Sequence, residues 1–197
     1  MDKNKLFLVI LISVCYQLLA FEKLPSQHLI SYGDEKAPMQ ITEYVSLSCP
    51  KCLELFRKDF KSLQSKYIST RNVRWTFHPH PADLLTLQAM VCLEKLSPRE
   101  KAILWEILIN NLTHPSDGCL ILQTAMETFG KPIPQLDNLE FLEKTSAFAA
   151  AYKYLKQSDI VKELPTVEIN NVIYDEFPSR KFLDKKLSAL TSQRIDR

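Results

Sequence analysis

Between residues 39 and 67 the hydrophobic period of this chain changes from two to alternating threes and fours, and the change falls on two cysteines. "MQITEYV" (39–45) alternates Met39, Ile41, Glu43 and Val45 with Gln40, Thr42 and Tyr44, which is the pattern of a strand. "SLSCPKC" (46–52) follows. Leu53, Phe56, Phe60, Leu63 and Tyr67 then recur at helical spacing and form one apolar stripe. Pro50 suits the first helical position, where its missing N–H is not needed. Cys49 and Cys52 therefore sit where a strand gives way to a helix.

The other elements are read in the same way. "NVRWTFHPHP" (72–81) is a second strand, with Val73, Trp75 and Phe77 on one face, stopped by prolines. From Pro81 to about Asp159 the chain turns helical. Ser97, Pro98 and Glu100 spell a capping box. "AILWEILI" (102–109) is apolar all round and predicts a buried helix, with Trp105 in the core rather than on a binding surface. "GCLILQTAMETFG" is a helix stopped by Gly130, and "DNLE" (137–140) caps one longer helix running to Gln157. Strands return at "LPTVEIN" and "VIYDEF", joined by a tight turn at Asn170-Asn171. Ser179 caps a final helix carrying Phe182, Leu183, Leu187 and Leu190.

The first residues bear on the compartment. Two lysines in "MDKNK", an apolar run to Val14 and a small residue at Ala20 make a secretory signal over 1–20, with an uncleaved anchor as the alternative. A lipoprotein site at Cys15 is weaker, because Val14 is bulky where a small residue is wanted. The remainder, 21–197, is one domain's worth of chain. A net charge of +2 without a dense basic stripe argues against nucleic acid, and three glycines in 197 residues leave no phosphate-cradling loop. Four cysteines remain beyond the signal: Cys49, Cys52, Cys92 and Cys119. An even count in an exported chain suits disulfides, and it also fits a redox enzyme.

A disulfide exchanges by thiolate attack, so a working cysteine must ionise easily. A helix N-terminus offers unpaired N–H groups and positive potential, which favour thiolate. Cys49 falls at the cap and is the attacking thiol. Cys52 falls inside the first turn and is the resolving one. Lys51 adds a nearby cation. A structural bridge, or half of a zinc site, remains open for the same pair. No second Cys-x-x-Cys occurs, and His78 and His80 alternate with Pro79 and Pro81 in a stiff segment, so no metal is expected. His78, His80 and His114 lie beside prolines at element ends, where surface or loop-packing roles are expected.

"ITEYVSLSCPKC", with "LPTVEINN" downstream and a helical block between, resembles the DsbA-like thiol oxidoreductases of the thioredoxin superfamily over residues 25–193. The resemblance implies an α/β, thioredoxin-like fold, with 21–80 and 160–197 forming the thioredoxin-like domain and 81–159 an inserted helical subdomain. It implies that Cys49 is the nucleophile, Cys52 its buried partner and Pro165 a cis-proline beside the pair. Leu164 would then offer its backbone to a bound peptide. Glu43 matches a buried acid of the family, able to accept a proton near Cys52. Lys51 stands where the best-known members have histidine, and Leu164 where they have valine or threonine. Both positions tune redox poise.

The expected function is an exported, periplasmic oxidase that introduces disulfides into reduced substrate proteins. No cofactor is expected, and a membrane oxidase of the DsbB type would reoxidise the pair. Too few residues precede the first strand for the dimerisation domain of the isomerases, so a monomer is expected. A reductase or isomerase of the same fold, or a non-catalytic binding or chaperone module, is the alternative. Cys92 and Cys119 are expected to form a structural disulfide in the helical block, or else to be buried free thiols.

Overall fold

The computed structural model describes residues 23–157, 161–174 and 179–195. The expected signal over 1–20, with Ala20 and Cys15, lies outside the described residues, as do Asp159 and the side chain of Leu190.

The alternating segment 39–45 forms β2 (Met39–Val45), and "VRWTFHP" forms β3 (Val73–Pro79). The two run parallel, in register from Met39 opposite Val73 to Val45 opposite Pro79. A parallel pair needs a crossover, and the helical stretch 50–68 (α1) supplies it. β4 (Thr166–Ile169) pairs antiparallel with β2 on its other side, and β5 (Val172–Tyr174) closes that edge. Asn170 and Asn171 turn between them with φ of 47° and 67°, as a two-residue hairpin requires.

β1 (Ile30–Tyr32) pairs antiparallel with β3 and completes a five-stranded sheet of order β1-β3-β2-β4-β5. The sequence reading has no strand here, because three residues are too few to show a period.

The register sorts the sheet into two faces. Ile41, Glu43, Val45, Trp75, Phe77 and Val167 share one of them. α1 covers this face: Phe60 meets Trp75 edge-on at 6.1 Å between centroids, and Phe56 lies 5.3 Å from Phe77. The stripe expected from spacing is the one buried, with Phe56, Phe60, Leu63 and Tyr67 inside and Leu53 half-buried. α1 is not uniform, however. Its α-helical start, Pro50–Leu55, gives way to π turns at Phe56–Phe60 and Gln64–Ile68. Such wider turns leave no signature in apolar spacing.

Between β3 and β4 the described residues form α2 (Leu84–Leu93), α3 (Pro98–Asn111), α4 (Gly118–Thr128), α5 (Leu139–Glu143) and α6 (Ser146–Gln157). These helices do not make a core apart from the sheet. Trp105 of α3 lies 5.7 Å from Phe77, and one apolar cluster runs from β3 through α3 to α4. Arg57 of α1 donates to the carbonyls of Ile109 and Leu112 at 2.6 and 2.5 Å, placing a cation on the C-terminal end of α3. Gly118 opens α4 where any Cβ would strike the side chain of Leu85, so the two helices meet closely.

Two helical expectations are corrected. The single helix expected after "DNLE" is two, because the first stops at Glu143 with Lys144 as its C-cap and Thr145 caps the next, its Oγ1 accepting from the Phe148 amide at 3.1 Å. Asn138, rather than the whole motif, supplies the first cap, accepting from Phe141 N at 3.1 Å. α3 is not buried all round: Trp105 is 1% exposed, but Ile103 is 39% exposed and Glu106 also faces water. The capping box of Ser97 and Glu100 is formed as read. α7 (Arg180–Ile195) begins at Ser179, whose Oγ accepts from Phe182 N at 3.3 Å.

The second sheet face carries Tyr44, His78 and Glu168. It is covered by the segment before β1 and by α6. Leu24 N donates to His78 Nε2 at 2.9 Å, and the His78 ring lies 4.9 Å from Tyr154. Burial pushes His78 down to about 3, and it also lowers His28 and His80. His78 thus packs the N-terminal segment from wholly inside the protein.

These histidines bind protons more readily unfolded, near 6.5, than folded. Their stabilisation is complete above about pH 6.5 and is lost progressively below it. From these groups alone the protein should lose on the order of 1–2 kcal/mol between pH 7 and pH 5. Urea unfolding of wild type against His78→Gln, which can still accept from Leu24 N, reads that share as the difference between the two pH slopes.

Candidate active site

β2 ends at Val45, and a four-residue turn closes on Cys49, whose N–H donates to Ser46 O at 3.2 Å. Cys49 has an extended backbone, φ −93° and ψ 108°, and is the N-cap of α1, with Pro50 at the first helical position. Its sulfur accepts the Cys52 amide N–H at 3.3 Å. The cap acceptor of this helix is thus the thiol itself. A sulfur in that place satisfies an N–H that would otherwise lack a partner.

Cys49 is half-buried and Cys52 is 3% exposed. Burial pushes the Cys52 thiol up strongly, and the hydrogen bond and charge of Cys49, with the charge of Glu43, push the same way. Cys49 is the more accessible of the two and Cys52 the more deeply buried. Pro50 and Lys51, the two residues after the cap, are exposed.

The segment before β4 completes the site. The peptide bond between Leu164 and Pro165 is cis. Leu164 O lies 3.7 Å from Cys49 Sγ, which donates to it. The structure therefore brings Leu164 and its cis peptide bond, more than a hundred residues downstream, to half-buried Cys49.

Glu43 lies on β2 and is 2% exposed. Trp75 Nε1 donates to Glu43 Oε2 at 3.0 Å, and Oε1 has no hydrogen-bond partner among the described residues. Burial raises its carboxyl to about 8 against the Trp75 bond, which lowers it. Near neutrality Glu43 is therefore a carboxylic acid, close enough for its charge to be felt at Cys52.

Cys92 is wholly buried on α2, and Cys119 is half-buried in the first turn of α4. Burial raises Cys92 to about 12, and the charge of Cys119 adds to this. Both are free thiols in this structure, as are Cys49 and Cys52. Among the described residues no group of three or more His, Cys, Asp or Glu side chains is placed to hold a metal ion.

Some residues of the site do not appear in the sequence reading. Asp83 caps α2 and also bonds the hydroxyls of Ser46 and Ser48 at 2.6 and 2.9 Å. Thr86 Oγ1 accepts from Leu47 N at 2.9 Å. An aspartate before "LLTLQAM" was readable as a helix cap. Its reach to the cysteine turn was not, because no local pattern encodes it.

The protein family described as Thioredoxin (Thioredoxin_4) matches residues 26–189. The chain belongs to this family. Comparison with the curated proteins gives no match in sequence. Among solved structures the chain is similar to alpha-DsbA1 of Wolbachia pipientis, with a TM-score of 0.65, 22% identity, and coverage of 91% of this chain and 96% of that one. It is similar to oxidised BdbD of Bacillus subtilis at 0.65 and 18%, covering 85% and 95%. A periplasmic thioredoxin-like protein of Salmonella enterica matches at 0.60 and 16%, covering 84% and 91%. At such identities the likeness is one of fold, and the expected α/β thioredoxin-like fold with inserted helices is the one found.

Glu43 gives this thioredoxin-family site a distinctive pH response. A carboxyl raised from 4.5 to about 8 contributes stability fully below pH 4.5, and that contribution is lost as pH rises through 8. The reduced protein should lose a few kcal/mol from this group between pH 5 and pH 8, on the order expected of so large a shift. Glu43→Gln should flatten that slope in urea unfolding.

Proposed function

We propose that this chain is an exported thiol–disulfide oxidoreductase that works as an oxidase. The observation that carries this reading is the Cys52 amide donated to the Cys49 sulfur at the helix cap, beside an exposed approach and a buried partner thiol. A helix start that favours the Cys49 thiolate favours the reduced enzyme, and a stable reduced form makes oxidation of substrates downhill.

The cycle begins with Cys49 and Cys52 bridged. A substrate thiolate attacks Cys49 Sγ, the enzyme disulfide breaks, and Cys52 leaves as thiolate. The high proton affinity of buried Cys52 draws a proton to it, and Glu43, protonated near neutrality, is its nearby exchange group. A second substrate thiolate attacks the substrate sulfur of the mixed disulfide and releases Cys49. Two electrons pass from substrate to enzyme. Leu164 offers its backbone to the bound peptide, as strand addition would use it. Lys51 adds a cation beside the thiolate. Resemblance to DsbA-like proteins supports a membrane oxidase of the DsbB type as electron acceptor. It also supports a periplasmic setting and action as a monomer on reduced proteins, without a cofactor.

Oxidised protein should convert a two-thiol peptide to its disulfide stoichiometrically, and Cys49→Ala should abolish this. Cys52→Ala, given the peptide in its disulfide form, should accumulate a mixed disulfide through Cys49 as one peptide sulfur leaves as thiolate, visible by mass. A reduction potential near thioredoxin's, about −270 mV, would make reduction the native direction and end the oxidase reading.

We also propose that Cys92 and Cys119 bridge in the oxidising compartment. Replacing both should leave thiol exchange intact and cost on the order of 3–4 kcal/mol of stability. Peptide mass mapping of oxidised protein checks the pairing, and finding both thiols free would refute it.

A further inference from the structure

Asp83 accepts four hydrogen bonds. Oδ1 takes the Thr86 amide at 2.9 Å and the Ser48 hydroxyl at 2.9 Å, while Oδ2 takes the hydroxyls of Ser46 at 2.6 Å and Thr86 at 2.7 Å. Capping α2 needs only the first of these. The two serine bonds cross to the turn that presents Cys49, and Thr86 crosses too, taking the Leu47 amide on its Oγ1. Ser46 Oγ, held by Asp83, accepts the Ser48 amide at 3.0 Å, and Ser46 O accepts the Cys49 amide.

The amides of Leu47 and Ser48 are thus bonded through groups that Asp83 itself holds. Ser48 is exposed, so its hydroxyl could have been left to water. Four donors on two oxygens call for a carboxylate, because an amide has one acceptor oxygen.

We propose that Asp83 is a positioning residue for thiol exchange: it clamps the Ser46–Ser48 turn so that Cys49 Sγ meets the Cys52 amide. The inference rests on the oxidoreductase reading above and deepens it. The clamp makes the first helix after β3 part of the catalytic geometry. Without it the turn relaxes, the cap bond to sulfur weakens, and the reduced pair loses its advantage.

Asp83→Ser separates clamp from cap. A serine caps α2 well but is too short to reach Ser46 and Ser48 as well. The glutathione equilibrium of the Cys49–Cys52 pair should shift about tenfold toward the oxidised protein in Asp83→Ser, the worth of one lost charge-assisted hydrogen bond. Iodoacetamide should alkylate Cys49 more slowly at pH 7. Asp83→Asn, which keeps the shape and part of the bonding, should fall between. Ser46→Ala with Ser48→Ala should reproduce the shift, and adding Asp83→Ser to that pair should change it little further.

Were Asp83→Ser not to fold, the serine pair, which leaves the α2 cap intact, carries the test alone. A wild-type equilibrium and alkylation rate in folded Asp83→Ser, or in the serine pair, would overturn the clamp. Failure of the oxidoreductase reading would look different. Wild type itself would then leave a two-thiol peptide reduced, while the alkylation comparison would still report on the turn.

Discussion

The Cys52 amide donated to the Cys49 sulfur is the bond on which the rest of the site depends. A helix start leaves N–H groups that nothing inside the helix can satisfy. Usually an oxygen caps them, and here a thiol does. The protein obtains this by ending β2, making one turn, and placing proline where an N–H is not missed. The turn buries one apolar side chain, Leu47, while Ser48 faces water. Side-chain hydrogen bonds add to that anchor, from a helix that follows the next strand.

The sheet behind the turn treats two buried glutamates in opposite ways. Glu168, on β4, receives Tyr44 at 2.7 Å and Lys23 at 2.8 Å, so its charge is matched at the protein's edge. Glu43, on the facing side of β2, has the Trp75 donor and, among the described residues, no cation bonded to it. Burial without a counter-charge favours the neutral acid. A proton is therefore kept beside Cys52, in a region closed by Phe56, Phe77 and Trp105. The same dry surroundings hold Cys52 as a thiol.

The helical block serves this arrangement from two directions. α3 places Trp105 against Phe77 and takes Arg57 of α1 on its C-terminal carbonyls, which fixes the far side of the cysteine helix. α2 brings Asp83 and Thr86 to the near side. α6 closes the opposite sheet face over His78 through Tyr154. The block is continuous with the core, and thiol chemistry and helical packing share one structure.

What the sequence determined by itself is local. The change of hydrophobic period at residue 46, Pro50 after Cys49, the Ser97 capping box and the Asn170-Asn171 turn each act over a few residues. Spacing and turn chemistry therefore disclose them. The unlike placement of the two cysteines was legible too, because cap and first-turn positions follow from where a helix begins. The family resemblance added Pro165 and Leu164, which no period reveals. Tertiary structure decided what depends on distant parts of the chain. Ser46 meets Asp83 across 37 residues, Trp75 meets Glu43 across 32, and Leu24 meets His78 across 54. β1 exists because β3 offers an unpaired edge, and the break at Thr145 lies inside a segment that reads as one helix. Side-chain partners such as these are set by which faces the sheet register turns together, and a linear pattern carries no record of that.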